Sequence, residues 1–284
     1  MPALPAADVH GGGAAPRVDC HGASHVGRVR ERNEDRFAIV ALHHAARLVQ
    51  SNLEEGDVFR RLSRPTAHVF VAADGVGGAA AGDQASRLAV GTVVEYLSEV
   101  ANCYQGTDAA REQEFIDRLT AGVERAHGRL IEAYGAGRGP ATTLTMVTLV
   151  WPRAYVVHVG DSRGYVLRRG RLRQFTADQT VGDLFVDIGA VTEAQAAKRG
   201  MFDVLTSAVG TEIAPLVGVV DLELGDALLL CTDGLTKHVP DARIAALLSV
   251  APSAESACGA LVDAALEQGG TDNVTVVVAR FEAA

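Results

Sequence analysis

Four aspartates in this chain stand at the ends of apolar runs, a place where strand ends could gather charge. Asp74 follows Val71-Ala72-Ala73, and Asp161 follows Val156-Val157-His158-Val159-Gly160. Asp233 follows Leu229-Leu230-Cys231-Thr232, and Asp272 precedes the run Val274 to Ala279 by two residues. A lone Asp-Gly or Gly-Asp pair reads as a turn. Four together differ, because strands of one sheet can bring their ends to one place. Clustered carboxylates destabilise a fold unless a cation neutralises them. An all-oxygen set suits hard ions such as Mg2+, Mn2+ or Ca2+. The His-Glu-x-x-His pattern and cysteine clusters are absent, which disfavours zinc. In Asp74-Gly75-Val76-Gly77-Gly78 the glycines let the backbone approach an ion, so a carbonyl there can act as a ligand.

The segment Gly27 to Asp35 is dense with charge. Alone, it reads as a solvated turn. Beside a metal site, an arginine fork there can bind phosphoryl oxygens bidentately, and Glu34 and Asp35 can orient metal-bound waters.

The elements around these residues follow from hydrophobic period. Short strands are expected at Asp19–Ser24, Arg36–Val40, His68–Ala73 and Ala227–Cys231, with a β-branched one at Val274–Ala279. Leu144–Val150 and Ala154–Val159 flank Trp151-Pro152-Arg153, and Tyr165–Arg168 and Leu172–Phe175 flank Arg169-Gly170-Arg171, so both pairs read as hairpins. Ala85, Ala89, Val93 and Tyr96 or Leu97 recur at helical spacing, as do Phe115, Leu119, Val123, Ala126, Leu130 and Tyr134. A helix is expected over Thr192–Arg199, a short one from Pro240-Asp241, and a longer one capped by Ser253 and ended by Gly269-Gly270. Hairpins with helices in groups argue for antiparallel sheets covered by helices rather than a parallel β-α-β sheet.

The 284 residues are 48% hydrophobic and 21% charged, with a net charge of -9. That is a globular balance, and its sign argues against nucleic acid as a partner. Cys20, Cys103, Cys231 and Cys258 are scattered, as reduced cytoplasmic thiols are. Met1 to Pro16 reads as a loose tail, residues 42–66 as a surface excursion, and no run is long enough for a membrane span. No Asp-x-Asp-x-Asp-Gly loop with a downstream Glu supports a calcium-binding module. Arg168, Arg169, Arg171 and Arg173 form a basic cluster that reads as the solvated face of a hairpin.

In order, Arg30-Glu31-Arg32-Asn33-Glu34-Asp35, Ala73-Asp74-Gly75-Val76-Gly77-Gly78, Ala141-Thr142-Thr143, Val159-Gly160-Asp161-Ser162-Arg163, Cys231-Thr232-Asp233-Gly234-Leu235 and Gly270-Thr271-Asp272-Asn273-Val274-Thr275 resemble the motifs of the PPM family, the metal-dependent type-2C protein serine/threonine phosphatases, in its compact bacterial form. The resemblance spans about Val18 to Phe281. It implies an α+β fold, a four-layer α-β-β-α sandwich of two antiparallel sheets flanked by helix pairs. It implies a tail over residues 1–17, a phosphatase domain over 18–284 and a flap at about 176–208.

By the same resemblance, Asp74 bridges two Mn2+ or Mg2+ ions, the Gly75 carbonyl binds one and Asp233 and Asp272 bind the other. Asp161 with Asp233 would hold a third, weaker ion. Arg30 would bind the phosphate, and Asp35 and Glu34 would hold metal-bound water. The implied reaction is hydrolysis of phosphoserine and phosphothreonine on proteins by a metal-activated water attacking phosphorus. The catalytic set is Arg30, Asp74 and Asp233. Implied partners are phosphoproteins of a cognate Ser/Thr kinase, met by a cytoplasmic monomer. The alternatives are an inactive binding module of the same fold and a small-molecule phosphoesterase. Three positions depart from the pattern. Val76 stands where many relatives carry a histidine, Ala141 where glycine is usual, and Ser207 where bacterial relatives often have arginine.

Overall fold

The computed structural model describes residues 16–43, 67–77, 81–100, 109–136 and 139–284. The expected tail and the excursion at 42–66 lie almost wholly outside these residues. Strands β1 (Arg17–His25), β2 (Arg36–Leu42), β3 (Ala67–Ala73) and β4 (Gly75–Val76) lead into helices α1 (Ala81–Val100) and α2 (Ala109–Tyr134). Then come β5 (Ala141–Thr142), β6 (Leu144–Val150), β7 (Arg153–Val159), β8 (Arg163–Arg168) and β9 (Arg171–Gln174). Helices α3 (Val181–Asp187) and α4 (Glu193–Lys198) and a 3-10 turn at Met201–Asp203 precede β10 (Leu216–Asp221) and β11 (Ala227–Cys231). Helices α5 (Asp233–Thr236), α6 (Asp241–Val250) and α7 (Ala254–Glu267) and strand β12 (Val274–Glu282) complete the order.

Two five-stranded sheets, β1-β12-β11-β8-β9 and β10-β7-β6-β3-β2, are antiparallel throughout. They pack face to face through Phe70, Val147, Leu228, Leu230, Val277 and Phe281. Side chains alternate across a strand, so neighbouring residues serve the other layer. Leu229, Cys231, Val276 and Val278 pack against α6 and α7. Val69, Val71 and Met146 pack against α1 and α2. Strands buried on both faces must be apolar throughout, which is why β3, β11 and β12 read as unbroken runs. The expected helical stripes hold, with Ala85, Ala89, Val93 and Leu97 buried on α1 and Leu119, Val123, Ala126 and Leu130 on α2. Tyr134 ends α2 exposed, its hydroxyl donating to Gln84.

The hairpin and helix expectations hold within a residue or two. Ser253 and Ser256 form a capping box on α7, and Thr192 and Gln195 form one on α4, satisfying N-terminal amides that the helix leaves open. Strand β10 is an addition to the expected elements. It is an edge strand paired only with β7, and Val220 is its one buried residue. The basic hairpin is solvated as expected, with Arg169, Arg171 and Arg173 exposed, and it carries ion pairs at one end. Arg168 grips Asp226 and Glu223, and Arg169 also reaches Glu223.

Candidate metal centre

Strand ends gather at one edge of the sandwich around a cleft of about 800 Å³. Asp74, Gly75, Asp161, Asp233, Asp272, Arg30 and Glu34 all line it. Asp35 lies beneath the wall, fully buried, where its Oδ2 accepts a 2.8 Å bond from the Thr232 hydroxyl. Val204, Leu205 and Ala208, which follow the 3-10 turn, also line it.

Each carboxylate is placed by its backbone. Asp74 leaves β3 through a clamp: its N–H donates to Thr143 Oγ1 at 2.9 Å, and its carbonyl accepts from the Thr143 N–H and the Thr142 hydroxyl, both at 2.8 Å. Gly75 follows because nothing larger fits: a Cβ there would meet the Gly82 carbonyl oxygen at 2.2 Å. Ala141, opposite on β5, keeps a negative φ, so its methyl costs no strain. Asp161 turns out of β7 after Gly160, at φ +106, whose N–H donates to the Gln179 side chain at 2.7 Å. Buried hydroxyls of Thr143 and Ser162 meet at 2.8 Å behind it, joining the Asp74 and Asp161 loops. Asp233 opens α5, and Gly234 behind it lies so close to the Asn273 carbonyl that a Cβ would fall 1.8 Å from the oxygen.

Asn273 enters the sequence reading only as part of a motif, yet it fixes the charged loop. Its Oδ1 accepts from the Glu34 N–H, and its Nδ2 donates to the carbonyls of Val26 and Arg32, each at 2.8 Å. An amide that bridges three separated backbone groups has no substitute of its own size. Truncation to alanine strands groups worth about 1–3 kcal/mol each when buried. Asn273→Ala is therefore expected to lower the melting temperature by about 8 °C and to raise KM for a phosphopeptide as the Arg30 loop loosens. Thermal denaturation by circular dichroism checks this, and a shift under about 2 °C would refute the bridging role.

The electrostatics record crowding. Burial, then Asp35, Asp233, Asp161 and Asp272, push the Asp74 carboxyl well above the usual carboxylate range. Burial pushes Asp35 up to about 7, against the hydrogen bonds of Thr275 and Thr232. Burial and then Asp233 raise Asp161 to about 7, while Lys237 pulls it down. Asp35 Oδ1 and Asp233 Oδ1 are buried with no hydrogen-bond partner. Arg30 forks onto Asp272, with Nε 2.8 Å from Oδ1 and Nη2 2.9 Å from Oδ2. Lys237 lies 2.5 Å from Asp233 Oδ2 and 3.6 Å from Asp272 Oδ2. As the side chains stand, no three His, Cys, Asp or Glu groups among the described residues form a closed ligand set. Sequence reasoning passes over Lys237, although its position four residues after Asp233 on a helical turn is a visible ion-pair spacing.

The donor set fits divalent cations. It is all oxygen, it carries orphaned buried carboxylate atoms, and its like charges are only partly offset by Arg30 and Lys237. Two packed antiparallel sheets between helix pairs, with an acidic cleft at one edge, define an α-β-β-α sandwich with a candidate metal site.

The chain belongs to the protein phosphatase 2C family, whose model matches residues 46–268. It is 37% identical over 217 residues to the serine/threonine protein phosphatase PstP of Mycobacterium tuberculosis, a match covering 75% of this chain but 40% of that relative. It is 29% identical over 237 residues to the serine/threonine phosphatase stp of Listeria welshimeri, covering 82% of this chain and 91% of the relative. The catalytic domain of PstP, solved in complex with two manganese ions, superposes with a TM-score of 0.69 at 32% identity, covering 93% of this chain and 98% of that one. No helix among the described residues is long and apolar enough to cross a membrane.

Proposed function

We propose that this chain hydrolyses phosphoserine and phosphothreonine on other proteins with two Mn2+ or Mg2+ ions bound in the cleft. The observation that carries the reading is the convergence of Asp74, Asp161, Asp233 and Asp272 from four separate strand ends beside Arg30. The two manganese ions of the PstP domain support the choice of metal. Asp74, the Gly75 carbonyl, Asp233 and Asp272 would hold the core pair. When bound, such a pair supplies the Lewis acidity that brings the pKa of a water near neutrality and polarises the phosphoryl oxygens.

The protein's own groups do the rest. Arg30 is half-exposed and held by Asp272, which keeps the guanidinium charged and aimed into the cleft. Transferred to phosphoryl oxygens, the same fork binds them bidentately. Glu34 and Asp35 would accept hydrogen bonds from ordered water behind the pair. Val76 stands exposed at the rim and donates no proton, so the leaving alkoxide takes its proton from solvent. The thiols of Cys20, Cys231 and Cys258 are free, which suits the cytoplasm, where a cognate Ser/Thr kinase would supply the substrates.

The test is hydrolysis of a phosphothreonine peptide. Activity is expected with Mn2+ and a fall to background with EDTA, restored by excess Mn2+. Activity indifferent to chelation would sink the metal chemistry. Turnover of nucleotides or sugar phosphates without the peptide would favour the small-molecule phosphoesterase. Metal binding with no turnover of any phosphoester would favour the inactive binding module.

A further inference from the structure

Between β9 and β10 the chain makes an arm, residues 175–215, which carries α3, α4 and the 3-10 turn. It returns along the cleft through Val204, Leu205 and Ala208. Its entry is rooted. Asp178 accepts from the Arg163 guanidinium on both oxygens, at 2.7 to 3.1 Å, and from the Gln174 amide at 3.0 Å. Its return is tied to β5, where Thr142 and Val209 exchange both backbone bonds. Val204 and Leu205 lie between these two roots.

One residue spans the neck of the arm. The Gln179 N–H donates to the Gly160 carbonyl at 2.9 Å, and the Gly160 N–H donates back to Gln179 Oε1 at 2.7 Å, so the side chain imitates a strand partner's carbonyl. The Gln179 carbonyl accepts from the Thr206 N–H at 2.8 Å, and Gln179 Nε2 donates to the Ala214 carbonyl at 2.7 Å. The oxygen of the amide thus holds the turn before Asp161, and the nitrogen holds the returning chain. Beside it the Val181 N–H donates to the Val204 carbonyl at 2.8 Å, so the place of Val204 follows from the neck. The Gly160 turn is braced separately by the Thr143–Ser162 hydroxyl pair. If the strap is cut, the arm is the part that moves. Gln179 itself does not line the cleft, whereas Val204 is exposed there. An apolar wall beside a phosphate site meets the residues that flank a phosphorylated side chain, not the phosphate.

We propose that Gln179 is a positioning residue for the protein substrate: by strapping the returning arm to the Gly160 turn, it holds Val204 and Leu205 where the flanking residues of the substrate meet them. The inference rests on the phosphatase reading above and deepens it. Peptide binding depends on the strap, and chemistry at phosphorus does not.

Two substitutions separate the strap from the fold. Gln179→Glu keeps an oxygen for the buried Gly160 N–H but turns a second oxygen toward the Ala214 carbonyl, where a donor is needed. Gln179→Met fills similar space and bonds to neither group. Melting temperature is measured for each, with kinetic constants in Mn2+ for a phosphothreonine peptide and for p-nitrophenyl phosphate. The peptide KM is expected to rise about tenfold in both variants, the equivalent of one or two hydrogen bonds. Both constants for p-nitrophenyl phosphate should stay within about twofold of wild type, and its own negative charge controls for the added carboxylate. Only Gln179→Met should melt lower, since only it strands a buried N–H. Hydrogen exchange on the metal-free protein reads the strap without turnover. The Thr206 and Val181 amides should exchange faster in Gln179→Glu, and the Thr143 amide, away from the neck, at the wild-type rate.

A peptide KM that rises only in Gln179→Met, in step with the melting temperature, makes the residue merely structural and overturns the proposal. A rise shared by p-nitrophenyl phosphate overturns it too, as does unchanged exchange at Thr206. Each of these leaves the phosphatase reading intact. Wild type that hydrolyses neither substrate removes that reading, and this inference with it.

Discussion

Asp74→Asn is expected to abolish catalysis and yet stabilise the metal-free protein. Hydrolysis of a phosphothreonine peptide in Mn2+ should fall by about 10³-fold or more, because Asp74 is the carboxylate proposed to hold the core pair, and its loss would remove positioning and charge stabilisation together. The fold should respond the other way. Asp74 is crowded by Asp35, Asp161, Asp233 and Asp272, and its backbone clamp to Thr142 and Thr143 does not involve the side chain. A neutral amide of the same shape relieves the repulsion. In EDTA the melting temperature should therefore rise by about 5 °C, the equivalent of about 2 kcal/mol. In saturating Mn2+ the order should reverse, since wild type gains about 2.7 kcal/mol at one hundred times the dissociation constant and the variant loses much of that. A variant that retains activity within tenfold of wild type, or that melts lower in EDTA, would contradict the assignment of Asp74.

The second large effect is on pH. Asp35 and Asp161 have carboxyls raised to about 7, chiefly by burial. A carboxyl whose folded pKa lies above its unfolded value binds protons more tightly when folded. Its contribution to stability is fully present below the unfolded pKa, near 4, and is lost as pH rises through the folded pKa. The metal-free protein should thus lose stability steadily between about pH 4 and pH 7. A tenfold tighter hold on a proton in the folded state is worth about 1.4 kcal/mol. Even a fraction of the rise at two groups lowers the melting temperature by about 5 °C across that window. Mn2+ should flatten or invert the trend, because the ions favour the ionised carboxylates. Melting curves from pH 4.5 to 7.5 with EDTA and with Mn2+ decide it. A metal-free protein that gains stability toward pH 7 would mean that the carboxylates are not crowded as described.

Most of this architecture can be read from the pattern of side chains, and the exceptions have physical causes. Strands β3, β11 and β12 are legible because both of their faces are buried, which forces continuous apolar runs. Helices α1 and α2 are legible because each buries a single stripe. Strand β10 is not legible, because an exposed edge strand is held by backbone bonds to β7 and asks little of its side chains. The pairing of β1 with β12, from Arg17 with Glu282 to His25 with Val274, joins residues far apart in the sequence, and no local pattern announces a partner so distant. The acidic lining of the cleft is legible from strand ends, since one aspartate after an apolar run is ordinary turn chemistry but four at four strand ends are not. The supports are harder to see. Asn273, Thr143 and Thr232 are ordinary polar residues whose importance lies in backbone groups they reach across the fold. Lys237 is easily overlooked because no helix is expected after the strand Ala227–Cys231, whereas a short one starts at Asp233.

The placement of β12 between β1 and β11 sets an order of events during synthesis. The first strand of the described fold cannot dock on its sheet until β12 has left the ribosome, for β12 is its only neighbour in that sheet. Asp272 and Asn273 emerge just ahead of that strand, so a nascent chain carries neither the completed cleft nor the anchor of its arginine loop. Such long-range closure is a slow, late step. The cleft can therefore be complete only once β12 is free of the tunnel.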